Sequence, residues 1–70
     1  MKYLIVVETT STGYSAYSPD VPGCASAGRT EEEIKANMKE ALALHVDGLR
    51  QEGLPVPMPS TKPAYVEIPA

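Results

Sequence analysis

A chain of 70 residues leaves room for one domain around one modest core, and a fold this small usually leans on disulfides, a metal or a partner subunit. Its single cysteine, Cys24, excludes an intrachain disulfide, and its single histidine, His45, falls short of a structural zinc set, so oligomerisation is the expected support. Six basic residues against nine acidic ones give a formal charge of -3, which opposes a phosphate backbone and suits a basic partner.

The first eight residues hold a short apolar run that lacks the length and the small-residue cleavage site of a signal peptide. No stretch approaches the roughly 18 apolar residues of a membrane span. A soluble cytoplasmic protein is therefore expected, and one free thiol agrees with a reducing compartment. Residues 2–8, KYLIVVE, are almost uninterruptedly apolar and β-prone, which predicts a strand covered on both faces, either central in a sheet or at an interface. Residues 9–13 form a polar turn ending in Gly13, and residues 14–17 resume a short strand, so the pair makes a hairpin. Pro19 and Pro22 then remove backbone donors and fix φ, which makes residues 18–23 a loop. Residues 24–28 alternate small side chains and read as a narrow third strand, open to close approach by a helix or another chain.

Residues 30–53 carry the clearest pattern. Thr30 and Glu33 form a T-x-x-E capping box, Glu31, Glu32 and Glu33 place negative charge at the positive end of the helix dipole, and Gly53 supplies a C-terminal stop. At about 100° per residue, Ile34, Met38, Ala41, Leu42, His45, Val46 and Leu49 form one apolar stripe that should face the sheet, with Lys35 and Lys39 at its edge. Leu44 lies off the stripe, on a face shared with Glu33, Glu40 and Gln51, where it is either simply exposed or in contact with a second chain. Residues 54–63 are a proline-punctuated connector, and residues 64–68 restore a strand pattern that Pro69 ends.

The expected fold is α+β in the order β-β-β-α-β: an antiparallel three-stranded sheet with an added edge strand and one long helix on one face. A helix of this length spans about 33 Å, more than the roughly 16 to 23 Å of such short strands. It should overhang its own sheet, leaving Val46 and Leu49 to be covered by the proline-rich segment or by another subunit. A homo-oligomer, most simply a dimer, follows, with Leu4, Val6, Leu44, Val46 and Leu49 as candidate interface residues.

No cofactor, metal site or catalytic residue is expected. Cys24 and His45 could be read as nucleophile and base, but nothing nearby in sequence orients the imidazole or forms an oxyanion hole, and each is more simply a packed core residue. Only Glu8 and Glu67 sit on expected strands, both at the ends, which falls short of the convergent carboxylates of a two-metal nuclease. The loop Pro19, Asp20, Val21, Pro22 and Gly23 has two readings. It is either structural, with Asp20 accepting backbone N–H bonds, or a rigid docking turn that loses little entropy when a partner binds.

Several of these segments together resemble the HicB antitoxin family. Tyr14, Ala16 and the loop S-P-D-V-P-G-C from Ser18 to Cys24 are similar to its opening signature, followed by Ser26, Gly28 and Thr30. Glu32, Asn37, Glu40 and Ala41 continue the likeness along the helix, and L-P-V-P-x-P-S from Leu54 to Ser60 resembles its exit. The resemblance implies a partly degraded RNase H-like fold, no nuclease activity, and neutralisation of a small basic ribonuclease toxin, HicA, by dimers or tetramers. The chain departs from the family in two ways. It lacks the C-terminal helix-turn-helix or ribbon-helix-helix domain that many members carry, so it is expected to be a single domain over 1–70 without direct nucleic-acid binding. It also has His45 where a larger aromatic is expected. The alternative function is an orphan oligomeric scaffold that binds another cytoplasmic protein.

Overall fold

The structure, a computed structural model, describes residues 1–69. Three strands, β1 (Val6–Thr10), β2 (Gly13–Tyr17) and β3 (Ala25–Gly28), are followed by one helix, α1 (Glu31–Gln51). The strands form an antiparallel sheet in the order β1-β2-β3, and α1 lies across β2 and β3. The α+β class, the hairpin and the single long helix follow the expectation.

Register explains which side chains reach the core. Val7 pairs with Ala16 and Ala16 with Ser26, while Thr9 pairs with Tyr14 and Tyr14 with Gly28. These residues share the face toward α1, because side chains alternate along a strand. On β3 that face presents only Ser26 and Gly28, so the helix can come in close. A Cβ added at Gly28 would lie 2.8 Å from the backbone nitrogen of Ile34. Ala16, Val21, Cys24, Ile34 and Met38 form the core, with Tyr3, Ile5, Tyr14, Ala41 and Leu42 packed against it.

Both ends of α1 are closed by local chemistry. Thr30 caps it in an extended conformation, its hydroxyl accepting the Glu33 N–H at 3.0 Å. The Glu33 carboxylate returns to the Arg29 N–H at 3.3 Å rather than to the Thr30 N–H, so the capping box is displaced by one residue. At the other end the Leu54 N–H donates to the Leu49 carbonyl at 2.9 Å and the Gly53 N–H to the Arg50 carbonyl at 3.1 Å, with Gly53 at φ 69. This is a Schellman closure, and the left-handed residue it requires is the glycine. Ile34, Met38 and Val46 of the expected stripe are buried, while Ala41, Leu42, His45 and Leu49 are half-buried.

Two expectations are corrected. The first strand begins at Val6 and lies at an edge of the sheet, not at its centre, because the chain enters as an extended lead whose Tyr3 and Ile5 pack on the core before any ladder starts. The added edge strand over 64–68 does not form. Tyr65, Val66 and Ile68 are 95%, 89% and 79% exposed. A β-prone pattern suits a segment for pairing, but a strand exists only where its backbone finds a neighbouring edge, and this segment reaches none among the described residues.

Candidate functional site

The loop between β2 and β3 is two consecutive tight turns. The Val21 N–H donates to the Ser18 carbonyl at 3.3 Å with Pro19 at the second position, and the Cys24 N–H donates to the Val21 carbonyl at 3.2 Å with Pro22 at the second position. Gly23, third in the second turn, has φ 83. Proline followed by a left-handed glycine is the chemistry of a type II turn. Ser18 N–H to the Cys24 carbonyl at 3.2 Å closes the loop, and the buried Ser18 hydroxyl donates to the Leu4 carbonyl at 3.0 Å.

This geometry divides the five loop residues. Val21 is fully buried and anchors the loop in the core, whereas Pro19, Pro22 and Gly23 form its exposed tip. Asp20 turns toward the distant end of the chain. Its Oδ1 accepts the Thr61 hydroxyl at 2.7 Å and the Ser60 hydroxyl at 3.0 Å, and its Oδ2 accepts both backbone N–H groups at 3.1 Å. The Thr61 hydroxyl, then the Thr61 amide and the two Ser60 donors, hold its carboxyl down from 3.8 to about 2 against a smaller opposing effect of desolvation. Asp20 does accept backbone N–H bonds, as its structural reading had it. The partners lie 40 residues away, and nothing in the spacing of the sequence names them. The Tyr3 hydroxyl makes a similar tie to the Pro57 carbonyl at 2.6 Å, so the connector is fastened at two points along its length.

A second surface lies along α1. An open groove of about 840 Å³ runs between the N-terminal lead and α1, lined by Tyr3, Ile5, Met38, Leu42 and Val46. Of the candidate interface residues, Val46 and Leu44 line it, the first buried and the second 67% exposed. Leu4, Val6 and Leu49 are half-buried outside it.

The Cys24 thiol is buried among Ala16, Val21, Ile34 and Met38, and desolvation raises its pKa, which keeps it protonated. Among the described residues no three His, Cys, Asp or Glu side chains gather as a metal set would require. Among the described residues no helix is long and apolar enough to cross a membrane.

Comparison with known proteins gives these surfaces a context. A family model described as HicB-like antitoxin of bacterial toxin-antitoxin system matches residues 3–70. The chain is 37% identical to Antitoxin HicB 2 of Photorhabdus laumondii over 100% of its own length and 51% of that protein. It is 38% identical to a 14.9 kDa protein from the rep-hol intergenic region of Haemophilus phage HP1, over 99% of its own length and 52% of that protein. The chain thus spans about half the length of these relatives. Among solved structures, it is similar to a chain of the HicA3 and HicB3 toxin-antitoxin complex, with TM-score 0.75 and 41% identity over 87% of this chain and 71% of that one. It is also similar to antitoxin HicB3 alone, with TM-score 0.73 and 41% identity over 87% of this chain and 45% of that one.

Proposed function

Because this chain belongs to the HicB-like antitoxin family, we propose that it is the binding partner of a small basic HicA-like ribonuclease and that it blocks that enzyme's RNA cleavage. The observation that carries the reading is the likeness at 41% identity to a chain of a HicA3 and HicB3 complex. Charge supports it: an acidic surface speeds encounter with a basic toxin, while residence depends on a packed contact. The exposed tip of Pro19, Pro22 and Gly23, rigid and anchored from below by Val21, is a docking element of low entropic cost.

In this reading the chain acts in the cytoplasm and by occlusion alone. Its one thiol is buried and protonated, and its negative charge disfavours direct contact with operator DNA. Co-expression with a neighbouring gene for a small basic protein tests the proposal. Growth rescue and co-purification are expected, together with no RNA cleavage by the pure antitoxin in magnesium or manganese and no shift of a promoter fragment. Failure to rescue would move the assignment to an oligomeric scaffold for another partner.

A further inference from the structure

The sheet has one face against α1 and one open. Alternation along the strands turns Val7, Ala16 and Ser26 toward the helix, so their chain neighbours point the other way. Two rows of cross-strand partners cross that open face: Val6, Tyr17 and Ala25 in one, Glu8, Ser15 and Ala27 in the next. Tyr17 is 45% exposed, Glu8, Ala25 and Ala27 are exposed as well, and Val6 and Ser15 are half-buried. Glu8 is the one charged side chain on the three strands. The groove along α1 differs in sign: Lys35, Lys39 and Arg50, three of the chain's six lysines and arginines, line it beside a single acid, Asp47.

Resting on the antitoxin reading, we propose that the basic toxin docks on the open face of the sheet, with Tyr17 as its anchor and Glu8 facing one of its cations. Charge selects this face over the groove, where three cations repel a basic partner. Composition suits it too. The centre of a stable contact is rich in rigid aromatics and poor in charged side chains, and here Tyr17 stands on the middle strand between Val6 and Ala25, with one carboxylate in the next row. The two alanines lose no side-chain freedom when covered. The face also continues into the loop tip. The Tyr17–Ala25 pair closes the β2–β3 ladder, and the chain between these two residues makes the turns that carry Pro19, Pro22 and Gly23. A partner seated over Tyr17 therefore meets the tip as part of the same surface.

The test is binding kinetics of the full chain with the small basic protein of the neighbouring gene. Tyr17→Ala should raise the dissociation rate about thirtyfold, the scale of a lost aromatic hot spot. Ala27→Arg, which sets a long cation on the second row, should do at least as much. Glu8→Lys and Glu52→Lys change the net charge equally, and Glu52 is exposed at the C-terminal end of α1. Both should slow association, but only Glu8→Lys should also speed dissociation, by about tenfold or more, because it alone puts like charges in contact. Helical circular dichroism and the urea midpoint show that each variant is folded. One measurement needs no variant: the Ala25 and Ala27 methyl resonances of the wild type should shift when toxin is added. A wild-type chain that does not bind removes the antitoxin reading and this docking face together. Toxin that binds the wild type but leaves both methyls unmoved, or that leaves Tyr17→Ala and Ala27→Arg at the wild-type rate, overturns the docking face and lets the antitoxin reading stand.

Discussion

The Asp20 carboxylate holds four donors from residues far along the chain, and its acidity follows from them. The folded carboxyl titrates at about 2 against 3.8 for a free one. The clasp therefore contributes fully above about 3.8 and is lost as the pH falls toward 2. Carbon-detected titration of Asp20 should give the lower midpoint, and Thr61→Ala should move it upward, because the Thr61 hydroxyl is the largest single cause; an unmoved midpoint would refute that assignment. Two glycines offer a second residue-level comparison. Gly28→Ala should cost about 1 to 3 kcal/mol in urea unfolding, since the new Cβ presses on the helix backbone. Gly23→Ala, whose Cβ meets nothing, should cost only about 1 kcal/mol, from its positive φ. Both turn prolines and Gly23 were legible in the sequence, as was the role of Asp20 as an acceptor. Its donors were not, because a hydrogen bond across 40 residues leaves no periodic trace.

Elements whose signals are local were read well from the sequence. Thr30, the glutamate run and Gly53 mark α1 within a residue or two at each end, because caps satisfy groups only one turn away. Thr30→Ala should cost about 0.5 to 2 kcal/mol and Thr30→Ser much less, measured by thermal or chemical unfolding. Strand order and partners were less legible. The apolar residues 3–5 read as part of a strand that is central or at an interface, yet they serve the core and the connector before the ladder begins at Val6. In residues 64–68 a β-prone composition gave a strand pattern, but composition says nothing about whether an edge lies opposite.

Across the whole molecule, the net charge of -3 sets how the chain meets a basic partner. Capture kinetics with a basic toxin at rising ionic strength should show association slowing markedly and dissociation changing little, because screening acts on the long-range attraction and not on packed contact. Equal sensitivity of both rates would show that the contact itself is held by exposed charge. The manner in which the connector is fastened has a further consequence for how the protein comes apart. The sheet and α1 share a core, whereas residues 54–61 are tied down at Tyr3 and at Asp20 by side-chain hydrogen bonds. The strap can peel away while the body stays folded, so the protein has two stabilities. Hydrogen-deuterium exchange reads them separately: the Ser60 and Thr61 amides should exchange together and well before the Ile34 amide on the Thr30 carbonyl. Asp20→Ala should bring both to the rate of an open chain and leave the exchange of α1 unchanged.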